Sequence, residues 1–398
     1  MHIDKIRKIA IDGELFTVEQ FDQHRRQWLS NGGSVDDGVG FVRELTQRGE
    51  LTDFQAAALR AGITGPYRLG PFRVTGRLLA GRLGNVFRAE HIESNQPVSL
   101  KIFPAALGRS RERLARLGRE TRIAMEVDHL HVVKAFQVGR VGEVTFIAFE
   151  KLTGGTLQQR LERDTKLPYI EACQLIQQAA LGLGYLHAQL IIHRDICPAN
   201  LWVTDHGLVK IMEFGAARDA MSYLDAQDWG RLTLDVMKSS EPPQVLGRYD
   251  YMPAEQARDP HAANVASDLY CLGCTLYHCL TGQVPFPNPD PVRQVRQHAE
   301  DAPPPLASLV RGVPEALQEI ISKALAKNSD ERYASAEEFS SALAEIVPPA
   351  VLPELEPLSL DFLTWLQASA SKVSPDLPEV VEYPPAFREF ATFVSQVR

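Results

Sequence analysis

The sequence predicts an α+β protein: a helical N-terminal extension, then a small strand-rich lobe, then a larger helical lobe. Three observations carry this expectation. The first sixty residues hold helix patterns with clear start and stop signals, residues from Tyr67 to Phe149 run in short alternating segments, and from Pro168 onward the chain is mostly helical in pattern. At 398 residues there is room for two to three units of about 150 residues each. That is enough to bury a sizeable core without disulfides or metals, which excludes a mini-protein.

In the extension, Thr17 and Gln20 make a capping box, and Val18, Phe21 and Trp28 fall on one side of the helix that follows. Asn31-Gly32-Gly33 ends it. Ser34 is the expected start of a second helix, with Val39, Val42 and Leu45 as its apolar set and Gly49 as its stop; Thr52 with Gln55 caps a third that stops at Gly62. Residues 1–66 hold no cluster of catalytic or ligand residues and read as a packing appendage.

From Tyr67 the alternation begins. Phe72 with Val74, Asn85 to Ala89 and Pro97 to Phe103 read as strands of a meander. Arg109 to Val127 turns helical, with Arg109, Arg111, Arg113, Arg116, Arg119 and Arg122 around Leu114, Leu117 and Ile123, the pattern of a solvated basic face. Val144 to Phe149 is a further strand, Gly154-Gly155 a turn, and Pro168 the expected first position of the helical body. After Ile346, prolines at 348, 349, 353 and 357 mark a linker. A tail helix follows around Leu360, Phe362, Leu363, Trp365 and Leu366, and Phe387, Phe390, Phe393 and Val394 recur at helical spacing. These aromatics are expected to dock on the body rather than to bind a cofactor.

The balance of 42 basic against 50 acidic residues, a net charge of −8, speaks against a generic nucleic-acid binder. Five cysteines form an odd, sparse set, and Met1 to Ala10 does not read as a signal peptide, so reduced thiols and a cytoplasmic location are expected. Ala172 to His193 and Leu269 to Pro289 carry no charged residue, and each is as long as the roughly 20 residues of a membrane span. Gln174, Gln177 and Gln178 in the first, and Gly273, His278 and Pro285 in the second, suit helices buried in a soluble domain better.

The chemistry lies in a series of short motifs. Leu79 to Val86 is a glycine loop between strands, with Gly81 and Gly84, of the kind that closes over nucleotide phosphates. Taken alone it is an ordinary hairpin. Lys101 sits in a strand that can aim an ammonium at phosphates, and Glu120 on the next helix can hold that ammonium. Next comes His193-Arg194-Asp195-Ile196-Cys197-Pro198-Ala199-Asn200 and, thirteen residues after Asn200, Glu213-Phe214-Gly215. A carboxylate to accept a hydroxyl proton, an amide oxygen for a metal and a second metal-facing carboxylate suit phosphoryl transfer, in which positioning and charge neutralisation do most of the work.

With these motifs in this order, followed by Tyr251-Met252-Pro253-Ala254-Glu255-Gln256 and by Asp268 with Gly273, the sequence resembles the protein kinase family. The resemblance is to bacterial relatives of eukaryotic serine/threonine kinases and covers about residues 67–347. It implies a bilobal fold, with an N-lobe over 67–150, a C-lobe over 151–347 and a tail over 348–398. It further implies ATP in the cleft behind a hinge from Glu150 to Leu152, an ion pair between Glu255 and Arg332, and a packed column of Phe214, His193 and Asp268.

Carried over residue by residue, Lys101 would contact the α- and β-phosphates and Glu120 would orient it. Asp195 would be the base, with Arg194 beside it as a possible receiver of a phosphate. Asn200 and Glu213 would hold Mg2+. Gly81, Gly84 and Val86 would cover the nucleotide, and Ser99 and Trp202 would lie above and below adenine.

Six departures from the family pattern gather around the nucleotide, two of them Ser99 and Trp202, which stand where the family has an Ala and a medium apolar residue. Glu213 replaces an Asp, and its extra methylene moves the carboxylate by about 1.5 Å, where a misplacement of about 1 Å costs on the order of a hundredfold in rate. Cys197 replaces a Lys and reads as a space-filler, and Leu79 replaces the first glycine of the loop. Arg248 replaces a Thr and is expected to swing onto Asp195 as an ion pair.

The long segment from Glu213 to Glu255 suggests a regulated loop, with Ser222, Thr233, Ser239 and Ser240 as candidate phosphorylation sites. Cys271, Cys274 and His278 superficially suggest zinc but read as packing. The function expected is slow ATP-dependent phosphorylation of protein serine or threonine. The alternative is a pseudokinase scaffold, binding nucleotide or not. A phosphotransferase for small molecules is disfavoured by Pro253-Ala254-Glu255. The expected partners are ATP and a protein substrate or signalling partner, without nucleic acid or a membrane span. Residues 60–125, with thirteen Arg or Lys against four acidic residues, form a basic N-lobe inside an acidic total.

Overall fold

Helices in the extension begin where a side chain can accept their first free amides. The computed structural model describes residues 1–63, 65, 67–80, 85–103, 111–141, 144–219, 248–353 and 357–370. Its extension contains α1 (Ile3–Asp12), α2 (Val18–Ser30), α3 (Gly38–Gln47) and α4 (Asp53–Arg60). Thr17 Oγ1 accepts from the Gln20 amide while Gln20 Oε1 accepts from the Thr17 amide, and Thr52 with Gln55 repeats the arrangement. Helix α1 is not expected from the sequence; its cap is the His2 ring, whose Nδ1 accepts from the Asp4 amide at 3.2 Å.

Helix α3 starts four residues later than Ser34. Asp37 is its cap, and Ser34 is held in a turn, its hydroxyl accepting from the Asp36 amide and its carbonyl from Trp28 Nε1 at 3.0 Å. Val39 is accordingly exposed, while Val42 and Leu45 join Ile3, Ile6, Phe21 and Phe41 in one core.

Beyond the extension, β1 (Arg68–Leu69), β2 (Phe72–Ala80), β3 (Asn85–His91), β4 (Pro97–Phe103), β5 (Ala135–Val141) and β6 (Val144–Phe149) form an antiparallel sheet in the order β1-β2-β3-β4-β6-β5. The period of two divides β4 into faces. Val98, Leu100 and Ile102 enter a core with Phe72, Phe87 and Phe146, which leaves Ser99, Lys101 and Phe103 on the opposite face.

The C-terminal helix Leu360–Ala370 covers the apolar face. Phe362 is fully buried, 5.2 Å from the ring of Phe136 and 5.4 Å from His91, and Trp365 lies 5.8 Å from Phe72. Helix α4 also docks on the sheet: Thr52 Oγ1 donates to the Thr75 carbonyl at 2.6 Å and Gln55 Nε2 to that of Val74 at 2.8 Å. Extension, sheet and tail helix belong to one unit, made of Met1–Arg113, Ala135–Leu152 and the described residues 357–370. Phe387, Phe390, Phe393 and Val394 lie outside the described residues.

A second unit is made of Leu114–Lys134 and the described residues from 153 to 353. It holds most of α5 (Arg111–Glu126), then β7 (Gly155–Thr156), α6 (Leu157–Asp164), α7 (Tyr169–Ala188), β8 (Ile191–Ile192), β9 (Leu201–Val203) and β10 (Val209–Ile211), with β7, β9 and β10 in one small sheet. Pro168 stands one residue before the first helical position of α7, as its N-cap.

The two uncharged runs fall largely in α7 and in the helix Val265–Thr281, both rich in buried residues. Against the second of these, the Ala324 side chain approaches so closely that a Cβ at Gly273 would meet it at 2.7 Å. Among the described residues, no helix is long and apolar enough to cross a membrane.

Candidate active site

In the first unit, β4 supplies two buried polar side chains on one face, Ser99 and Lys101, each 1% exposed. Register places Lys101 opposite Val86 of β3 and Ile147 of β6, and Ser99 opposite Phe149, the last residue of β6. Just past that strand, the Leu152 amide turns back and donates to Ser99 Oγ at 3.0 Å. Lys101 Nζ stands 5.1 Å from the centre of the Phe103 ring, its neighbour two positions along the face. Glu150 is half-buried in the segment after β6. Gly81 and Gly84 lie outside the described residues, as does the Leu79 side chain.

In the second unit, the residues from His193 to Asn200 are fixed mainly through their backbone. The buried Asp268 carboxylate accepts the His193 and Arg194 amides, both at 2.8 Å, and His187 Nε2 lies 2.9 Å from it. Burial pushes this carboxyl up, but the hydrogen bond and charge of His187 outweigh it and hold the group below its ordinary value.

Arg194 sits in the left-handed region at φ 64°, a conformation that a non-glycine residue keeps only when its surroundings hold it. They do: Gln256 Nε2 donates to its carbonyl at 2.7 Å, and its own Nε and Nη1 donate to the carbonyls of Ala216 at 2.8 Å and Pro260 at 3.2 Å.

Asp195 follows directly. Its carboxylate accepts Asn200 Nδ2 at 2.9 Å, and the same nitrogen donates to the Asp195 carbonyl at 2.6 Å. Part of its surface stays accessible, yet dense protein surrounds it. Burial raises its pKa, countered by His193, by the Asn200 hydrogen bond and by the charge of Arg248. A raised value suits a general base, because it brings the carboxylate nearer to the working pH.

Glu213 is brought beside this loop by the β9–β10 hairpin: the Met212 amide donates to the Asn200 carbonyl at 2.9 Å, and His193 Nε2 lies 2.9 Å from the Met212 carbonyl. Glu213 itself has φ 70°, a second left-handed residue in the site. Phe214 packs edge-on to His193 with 5.7 Å between ring centres, so Phe214, His193 and Asp268 form the packed column that the family resemblance implied.

Two sequence expectations need correction. Among the described residues no ion pair joins Arg248 to Asp195. The carboxylate is engaged by Asn200, and the Arg248 charge acts on it only from farther off. Arg119 does not belong to a solvated face: it is buried, and its Nη1 donates to the Gly215 carbonyl at 3.1 Å, which ties α5 to the turn after Glu213. A residue so placed has no local signal in the sequence, since donor and acceptor are 96 positions apart. Trp202 is fully buried and donates from Nε1 to the Thr153 carbonyl at 2.6 Å.

Cys197 is buried, and burial pushes its thiol up to about 12, which makes it inert as a nucleophile. Cys271 and Cys274 are buried likewise, and His278 Nδ1 is held by the Tyr251 hydroxyl at 2.7 Å, so these residues serve packing. Glu255 and Arg332 form the implied ion pair at 2.6 Å. Ser222, Thr233, Ser239 and Ser240 lie outside the described residues.

A model of the protein kinase domain matches residues 72–343, well over half of the sequence. The chain belongs to the protein kinase family. Among the relatives of this kinase-family chain is serine/threonine-protein kinase PknB of Mycobacterium leprae, 31% identical over 270 residues, which is 67% of this chain and 41% of the relative. PknB of Mycobacterium tuberculosis is 30% identical over 309 residues, 75% and 47% of the two chains. PrkC of Bacillus subtilis is 30% identical over 279 residues, 70% and 40%. In each case the match spans less than half of the relative's own length.

Proposed function

We propose that this chain transfers a phosphoryl group from ATP to serine or threonine hydroxyls of protein substrates, and does so slowly. The observation that carries the reading is the Asp195–Asn200 pair on a backbone locked at Arg194. Asp195 is the base, its oxygen taking the substrate hydroxyl proton as the hydroxyl oxygen bonds to the γ-phosphorus and the bond from that phosphorus to the β-phosphate oxygen breaks, releasing ADP. Asn200 fits a magnesium ion: its amide nitrogen donates to Asp195, and its amide oxygen is a donor atom of the kind that Mg2+ prefers. Glu213 would add a carboxylate.

MgATP, when bound, would supply the phosphoryl group with its charge already partly neutralised. Lys101, steadied by Glu120, would hold the α- and β-phosphates. Val86, Ser99, Glu150, Leu152 and Trp202 would frame the base, with Gly81 and Gly84 closing over the phosphates. Arg194 acts as a positioning residue through its backbone contacts. The names of the relatives support the serine/threonine preference.

A second reading, a pseudokinase scaffold, is favoured by Glu213, whose longer side chain is poorly matched to a site built for a shorter carboxylate. Two measurements separate the readings. Thermal shift with MgATP tests binding, because a ligand at 100 times its dissociation constant adds about 2.7 kcal/mol. Transfer of labelled phosphate to a protein acceptor tests chemistry: activity is expected in the wild type, absent in Asp195→Asn and increased in Glu213→Asp. Binding without transfer in the wild type and in Glu213→Asp would leave the scaffold as the function.

A further inference from the structure

The strand pairing of β4 with β6 ends at Ser99 and Phe149. Three residues on stands the amide of Leu152, a buried residue. A buried amide at the exit of a strand is what a flat heterocycle uses to anchor its edge, together with apolar walls. Here that donor is already occupied. Ser99 Oγ accepts it at 3.0 Å, and both residues are at most 2% exposed.

We infer that Ser99 is an internal competitor for the base of the nucleotide: its hydroxyl occupies the hinge amide that an adenine ring nitrogen would otherwise accept, and so sets both affinity and base selectivity. The inference rests on the nucleotide-binding reading above and deepens it. An adenine must displace this hydrogen bond before it makes its own, so part of its recognition is an exchange of equals. Guanine presents N–H rather than a lone pair at the corresponding ring position and gains nothing from the amide in either case. The wild type therefore discriminates weakly between the two bases. With alanine at 99 the amide has no internal acceptor, and adenine alone can satisfy it.

The test compares binding of MgATP, MgGTP and inorganic tripolyphosphate to the full chain, as wild type and as Ser99→Ala. One hydrogen bond of ordinary net strength predicts that Ser99→Ala binds ATP about three- to tenfold more tightly. GTP and tripolyphosphate affinities are expected to stay unchanged, so the ratio of ATP to GTP affinity rises by the same factor. A general loosening of the fold would instead move all three ligands together.

Wild-type binding of ATP with an unchanged or lower ATP to GTP ratio in Ser99→Ala overturns the role of Ser99 and leaves the nucleotide reading standing. Absence of ATP binding in both proteins at millimolar concentration, with both folded by circular dichroism, overturns the two together. Ser99→Cys, which keeps the size but offers a weaker acceptor, is expected to fall between them and guards against a packing defect in the alanine variant.

Discussion

Replacing Glu255 by alanine should destabilise the second unit severely, and the size of the effect follows from how Arg332 is held. All five N–H groups of its guanidinium have acceptors: Nε donates to the Ala326 carbonyl, Nη1 to Glu255 Oε1 at 2.6 Å and the Ala266 carbonyl, and Nη2 to Glu255 Oε2 at 3.2 Å and the Lys327 carbonyl. The group lies over the Tyr270 ring at 4.7 Å and is only 1% exposed. Truncating Glu255 leaves two of those donors without their acceptors and removes the carboxylate that faces the guanidinium, and breaking a buried pair from one side costs about 3–5 kcal/mol. Glu255→Gln keeps one acceptor oxygen and should lose about 1.5–3 kcal/mol, the worth of hydrogen bonds to a charged group.

The consequence reaches the site. Glu255 anchors the short helix Ala254–Arg258, whose Gln256 holds the Arg194 carbonyl one residue before Asp195. Urea titration followed by circular dichroism measures the loss, and hydrogen exchange of the peptide 191–200 should quicken in Glu255→Ala. A variant within about 1 kcal/mol of the wild type, the range of an exposed pair, with unchanged exchange in that peptide, would refute the reasoning.

Two further outcomes are expected. Phe362→Ala empties a fully buried ring site between the sheet and the C-terminal helix and should cost the first unit about 3–5 kcal/mol, read as an earlier thermal transition. Acid should weaken the second unit through His298, which burial first and Lys327 second lower from 6.5 to about 4. The unfolded chain takes up this proton before the folded one does. The stability from neutral His298 is therefore complete above pH 6.5, falls between 6.5 and about 4, and should fall less in His298→Gln, measured as melting temperature against pH.

The family was legible because the order of its motifs along the chain is itself the signal, and the model of the protein kinase domain matches residues 72–343. The capping boxes at Thr17 and Thr52 were legible because they are local, with both partners three residues apart. Helix α1 was not, since a histidine ring is an unusual cap and its apolar set is only Ile3, Ile6, Ile9 and Ala10. Ser34 misled because serine serves turns and caps through the same hydroxyl. Arg119 and Arg248 show the opposite failure: charge can be read from a sequence, but whether a guanidinium meets a carbonyl or a carboxylate depends on segments far away in the chain. The indole hydrogen bond of Trp202 to the Thr153 carbonyl emerged only with the fold.

The first unit is built from the earliest and the latest described parts of the chain, joined where the Ser359 amide meets the Gln96 side chain at 2.9 Å. During synthesis its sheet emerges with its apolar face only partly covered, by Phe54 of α4, and the helix that seals the rest is made only after the whole second unit. About 200 residues intervene from 153 to 353, so at about 5–20 residues per second the exposed sheet waits on the order of ten to forty seconds on the ribosome. The unit made first is thus finished last, and its open face during that interval is where a nascent chain of this protein is most in need of a chaperone.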